Sequence, residues 1–142
     1  MKITFTVPGQ PQGKARARVS TFGGFARAYT PEKTQMYENF IKVCYLDGNS
    51  PKLQGALNLT VTAVYSIPKG FSLKKRKQAL NGEIKPQTKP DLDNVFKVVC
   101  DALNKIAYDD DKQIVQMFGS KFYGESPYLK IEIEEVSSSG NQ

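Results

Sequence analysis

Asp91-Leu92-Asp93-Asn94, preceded by Lys89-Pro90, and the run Asp109-Asp110-Asp111 are the residues of this chain whose types and spacing could do chemistry. Six of the fourteen acidic residues fall between Asp91 and Asp111, in a chain of formal net charge +6 that has no histidine. Carboxylate oxygens suit a hard cation such as Mg²⁺, whereas Lys and Arg suit phosphate. Acids gathered inside a basic protein place such a cation where a polyanion can reach it, and the combination points to a metal-dependent nuclease. Three other chemistries fail on the same residues. A calcium loop of the EF-hand kind needs a third oxygen ligand, a glycine at its sixth position and a closing glutamate, but Asp91-Leu92-Asp93 runs into Asn94-Val95-Phe96-Lys97. A phosphatase with an aspartyl nucleophile places it at the end of an apolar strand, and the stretch from Lys85 to Pro90 is polar and broken by proline. A serine or cysteine triad in its usual form lacks its histidine base.

The elements that must position these acids follow from hydrophobic periodicity. Ile3, Phe5 and Val7 alternate with threonines in a first strand that ends at Pro8-Gly9. Gly23-Gly24 separates Thr21-Phe22 from Phe25-Ala26, a hairpin pattern that carries Arg27 and Tyr29. Thr30-Pro31-Glu32 has helix-start chemistry, with Thr30 as the cap, and Met36, Tyr37, Phe40, Ile41, Val43 and Cys44 follow at helical spacing up to Asp47-Gly48. Leu57, Leu59, Val61, Ala63 and Tyr65 form the apolar face of a second strand whose polar face is thinly covered. A short helix fits Leu73 to Leu80, and a long one starts near Asp91 or Asp93. Two closing strands follow, the last alternating Leu129, Ile131 and Ile133 with Lys130, Glu132 and Glu134. The expectation is a single α+β domain over residues 1–136, a mixed β-sheet with two main helices packed on it, and a disordered tail over 137–142. Cys44 and Cys100 sit on apolar stripes as reduced core residues. No stretch approaches the ~20 apolar residues of a membrane span and no signal sequence precedes Pro8, so a cytoplasmic protein is expected.

Cations surround the acids. Lys14, Arg16 and Arg18 recur at every second position in a glycine-rich segment, which in an extended chain points them to one side, the arrangement of a loop draped along a phosphate backbone. Arg27 and Lys89 join this set. For Lys74, Lys75, Arg76 and Lys77 two readings stand level: phosphate contacts, or an ordinary solvated face.

Each acid also has a purely structural reading. Asp91 stands where a carboxylate caps a helix, and Asp93, Lys97 and Asp101 lie at i, i+4 and i+8, a pattern of surface ion pairs worth only ~0.3 to 0.5 kcal/mol each. A helix from Asp93 to Ile106 is ~20 Å long, so its two ends cannot share one ion. If it stops near Asn104, the chain to Asp111 spans up to ~23 Å extended, enough to return beside the helix start. The catalytic reading therefore requires Lys105 to Tyr108 to reverse the chain.

The string Lys89-Pro90-Asp91-Leu92-Asp93-Asn94, with Lys97, Asp101-Ala102-Leu103-Asn104 and then Asp110-Asp111-Lys112-Gln113-Ile114, resembles the signature of the RusA family of Holliday-junction resolvases. Gly9-Gln10-Pro11 with its cation run, then Tyr29-Thr30-Pro31, is similar to the basic N-terminal segment of that family. The resemblance covers residues 3 to about 135. It implies a homodimeric, Mg²⁺-dependent endodeoxyribonuclease, with Mn²⁺ as a substitute, often phage or prophage encoded, that cuts four-way DNA junctions symmetrically in recombination and repair. It implies Asp91, Asp93 and Asp111 as metal ligands, with Asp110 an alternative to Asp111, and Lys97 as the active-site lysine. Gln113-Ile114 sets the register that favours Asp111. Two rival readings use the same residues: a less selective nuclease acting on flaps and branched DNA, and a junction-binding protein without catalysis.

Overall fold

A computed structural model describes residues 1–136; the expected tail over 137–142 lies outside the described residues. Period-two alternation builds the sheet. Strands β1 (Lys2–Pro8), β4 (Leu57–Ser66), β5 (Ile114–Gly124) and β6 (Tyr128–Glu135) form one four-stranded sheet in the order β1-β6-β4-β5. β6 runs antiparallel to both β1 and β4, whereas β4 and β5 are parallel, so the sheet is mixed. The register sets Phe5 and Val61 on either side of Ile131, which stacks the apolar residues of three strands on one face. Ile3, Val7, Leu57, Leu59, Val61, Ala63, Leu129, Ile131 and Ile133 are all buried there. Full burial of each larger aliphatic side chain is worth about 1.5–3 kcal/mol, so this face is the main stabilising surface. The opposite face carries Asn58, Thr60 and Thr62 between Glu132, Glu134 and Gln116.

Helices α1 (Glu32–Asp47) and α3 (Leu92–Leu103) cover the apolar face and pack on each other; a third, α2 (Leu73–Leu80), lies against β5. Parallel β4 and β5 cannot be joined by a tight turn, and the crossover between them carries α2 and α3. A separate two-stranded ribbon, β2 (Arg18–Ser20) and β3 (Arg27–Tyr29), is joined by a 3₁₀ turn over Phe22–Gly24. Among the described residues no helix is long and apolar enough to cross a membrane.

Two local expectations are corrected. The residue at the N-cap of α1 is Pro31, not Thr30, and no side chain caps it; Thr30 instead accepts a bond on its carbonyl from Gln35 Nε2 at 2.7 Å. The buried stripe of α1 is Thr34, Tyr37, Ile41 and Tyr45, while Met36, Phe40 and Val43 face solvent. Helical spacing alone did not distinguish the two stripes, because apolar residues occur on both and α3 selects the one it meets.

Candidate active site

α3 begins at Leu92 because Pro90 cannot continue a helix backwards and Asp91 adopts extended dihedrals at the N-cap. The Asp91 carboxylate makes no capping bond, so its structural reading is not the one realised. The segment before it is fixed from the sheet. Tyr65 at the end of β4 donates its hydroxyl to the Pro90 carbonyl at 2.8 Å, and Lys121 on β5 donates to the Thr88 carbonyl at 2.6 Å. Burial first, and then the nearby Asp91 charge, pushes the Tyr65 hydroxyl up to about 12.

The far end of α3 reverses as the site requires. The helix stops at Leu103, Asn104 is extended, and Lys105 takes a left-handed conformation (φ 67°). The buried Tyr108 hydroxyl then donates to the Cys100 carbonyl at 2.9 Å, folding the returning chain along the helix. Of the three acids that follow, Asp109 pairs with Lys52 at 2.7 Å, and this bond holds its carboxyl below the ordinary range. Asp110 caps the short turn Asp111–Gln113 by accepting from the Lys112 N–H, which lowers it too. Gln113 closes the box: its carbonyl accepts from the N–H groups of Asp109 and Asp110, and its amide donates to the Gly55 carbonyl. Asp111 remains and faces the helix.

Asp93, Asp101, Asp111 and Lys97 rim a cleft of about 320 Å³ floored by Phe96, Cys100 and Met117. Gly119 lets Phe96 lie against β5, since a Cβ there would stand 2.8 Å from Phe96 Cζ and displace the ring. Desolvation, followed by Asp110 and Asp101, raises the Asp111 carboxyl above its usual value, because its carboxyl lies near two others of like charge. The donor set is carboxylate oxygen throughout, the chemistry of a hard divalent cation. Among the described residues, however, no three acidic or thiol groups converge into a finished cage. Asp91 lines a neighbouring cleft of about 300 Å³ with Gly13, Lys14, Lys89 and Asn94.

Lys14 is where the structure departs most from the sequence expectation. Its ammonium lies 2.7 Å from Glu38 on α1 and 3.1 Å from Asp101 on α3. Partial burial opposes its charge, and the bonds to Glu38 and Asp101 outweigh this and raise it overall. Its charge is engaged within the protein rather than offered to a phosphate. The segment around it is fastened as well: Lys14 N–H donates to Asn94 O at 3.0 Å and Ala15 N–H to Thr34 Oγ1 at 3.3 Å. Asp101 therefore pairs with Lys14 and not with Lys97, and the remaining helix pair, Lys97 to Asp93, is long at 3.9 Å and exposed.

Residues 8–134 match the family described as endodeoxyribonuclease RusA. The chain belongs to the RusA family. It is similar to the uncharacterized protein YqaN of Bacillus subtilis (strain 168), at 36% identity over 96% of this chain and 98% of that one. It also resembles the crossover junction endodeoxyribonuclease rusA of Lactococcus phage r1t, at 34% identity over 73% of this chain and 69% of the phage protein. In this chain Arg16, Arg18 and Arg27 are exposed, and Arg18 and Lys89 line a cleft of about 380 Å³ that adjoins Asp91 through Gly13, Ala15 and Pro90. Lys74, Lys75, Arg76 and Lys77 lie on α2, which buries only Ala79, and Lys75 is stacked 4.2 Å over the Phe71 ring. Sequence reasoning missed the parts that Tyr65, Lys121 and Tyr108 play around the candidate site. Their only sequence signal is position in a strand or loop, since each acts through a partner elsewhere in the chain.

Proposed function

We propose that the protein is an Mg²⁺-dependent endodeoxyribonuclease that resolves four-way DNA junctions by paired symmetric nicks, acting as a homodimer in recombination and repair. The observation that carries this reading is the cleft on α3, lined by Asp93, Asp101, Asp111 and Lys97, in a chain of the RusA family. Asp93 and Asp111 from this cleft and Asp91 from the neighbouring one would hold the cation, and Asp101 adds a further carboxylate beside Asp93 and Asp111. When bound, Mg²⁺ supplies an activated water and offsets charge on the attacked phosphate.

The protein's own residues do the rest. Lys97, exposed and only loosely paired with Asp93, is free to meet a phosphate oxygen at the rim of the cleft. Arg16, Arg18, Arg27 and Lys89 hold the backbone in register without reading bases. Tyr65 and Lys121 keep the Thr88 and Pro90 carbonyls in place, so that Asp91 meets the scissile region at a fixed position. Symmetric nicks need two such sites related by a twofold axis, hence a homodimer.

The test is cleavage of a labelled four-way junction beside matched duplex and flap DNA, with Mg²⁺ or with EDTA, and with Asp93→Asn. Paired nicks confined to the junction, lost in EDTA and in the variant while junction binding persists, are the expected result. Equal cutting of the flap gives the less selective nuclease, and binding without metal-dependent cutting removes the catalytic assignment altogether.

A further inference from the structure

The ribbon β2–β3 is built unlike the rest of the molecule, and the site just described leaves its tip without a role. Each strand has three residues, and among the described residues β2 pairs only with β3, apart from the main sheet. A two-stranded hairpin of this size is marginal in water by itself. All of its strand residues but Ser20 are exposed. Arg18 faces Tyr29 and Ser20 faces Arg27 on one side, Val19 faces Ala28 on the other, and Val19 is 65% and Tyr29 46% exposed. Phe25, beside the tip, is 70% exposed. The tip glycines Gly23 and Gly24 take left-handed dihedrals with nothing within 4 Å of a would-be Cβ, so the tip projects into open space. One exposed apolar side chain is ordinary, but an exposed aromatic at the tip of an otherwise open basic ribbon suggests that something covers it.

Charge identifies the class of partner. From Met1 to Pro31 the chain carries five cations, Lys2, Lys14, Arg16, Arg18 and Arg27, and no acid. A polyanion is the matching surface. Phosphates alone would satisfy the arginines but leave Phe25 exposed, because bases in a continuous duplex are already stacked on one another. At an open branch point the base pairs around the centre have one uncovered face, and base–aromatic stacking is the contact a projecting Phe makes with nucleic acid. The base of the ribbon is in the right place, since Arg18 lines the cleft that adjoins Asp91.

We infer that the β2–β3 ribbon is a branch-recognition element, in which Arg18 and Arg27 hold backbone phosphates and Phe25 stacks on an unpaired or unstacked base at the centre of branched DNA. The inference rests on the nuclease reading above and adds the element that selects the substrate.

The experiment uses the full chain in EDTA, with a four-way junction carrying 2-aminopurine at the branch and a matched duplex of the same arms. The wild type should change 2-aminopurine fluorescence on binding. Phe25→Ala should lower the ratio of junction to duplex affinity about tenfold and abolish the fluorescence change, while Phe25→Trp retains both. Arg27→Ala should weaken both substrates together and leave the ratio alone. The inference is overturned if Phe25→Ala leaves ratio and fluorescence unchanged, or lowers both affinities equally. Cutting by the wild type in Mg²⁺, measured on the same preparation, separates the two readings. Intact cutting with an unchanged ratio in Phe25→Ala sinks the ribbon alone. A Phe25-dependent ratio without cutting upholds the ribbon and sinks the nuclease.

Discussion

Asp109, Asp110 and Asp111 share one side chain and differ in everything around it. Lys52 engages the first, the turn over Asp111–Gln113 engages the second, and the third is left facing Asp93 and Asp101 across the cleft. A carboxylate already bonded in place contributes to structure; one held near others of like charge is available to a cation. The expected outcome of substitution follows. Asp111→Asn should slow junction cleavage by about 100-fold or more, a barrier increase of about 2.7 kcal/mol. Asp109→Asn and Asp110→Asn should cut at rates close to wild type, since the amide introduced by Asp110→Asn keeps an oxygen that can cap the turn. Single-turnover cleavage of a labelled junction checks all three, and a large loss in Asp110→Asn with none in Asp111→Asn would reverse the ligand assignment.

At the scale of elements, α3 does the positioning, and it meets β5 closely at Gly119. Phe96 and Leu92 lie over Gly119, where an added Cβ would meet the ring at 2.8 and 2.9 Å and Leu92 Cδ2 at 3.3 Å. At under 3.0 Å something must shift, and what the Cβ would displace is the end of the Phe96 ring, which lines the cleft. Gly119→Ala should therefore destabilise the fold by about 1–3 kcal/mol, the usual cost of overpacking, as read by urea denaturation. Its cleavage rate should fall further than the unfolded fraction accounts for, since Asp93 and Lys97 move with the helix. Unchanged stability would mean that β5 and α3 are less closely coupled than the packing indicates.

For the whole molecule, a formal net charge of +6 draws DNA to the surface, but individual cations do not contribute alike. Lys14 is neutralised by Glu38 and Asp101, while Arg16 and Arg18 stand exposed on the same segment. Each phosphate contact releases counterions and steepens the fall of affinity with salt by about 0.9 in the log–log slope. Replacing Arg16 and Arg18 together by Ala should flatten that slope by about two, whereas Lys14→Met should leave it unchanged and act on stability instead. Junction affinity measured across a salt series distinguishes the two, and an equal flattening by Lys14→Met would return that lysine to the DNA surface.

Local pattern was enough for most of the elements. Strand alternation gave β1, β4 and β6, Gly23-Gly24 marked the turn of the ribbon although its strands lie further out, at Arg18–Ser20 and Arg27–Tyr29, and Leu73 to Leu80 formed the helix its composition favours, because each of these depends on neighbours along the chain. The spacing of Asp91, Asp93 and Asp111 together with the length of α3 even required the reversal that Lys105 and Tyr108 supply. Tertiary structure decided what no periodicity encodes: which apolar stripe of α1 is buried, that Lys14 is bonded between two helices, that Asp101 shares the cleft, and that Tyr65 and Lys121 secure the segment before Asp91. Periodicity reports which face of an element is apolar or charged, but the partner that face meets is set by contacts between residues tens of positions apart, and those exist only once the chain has folded.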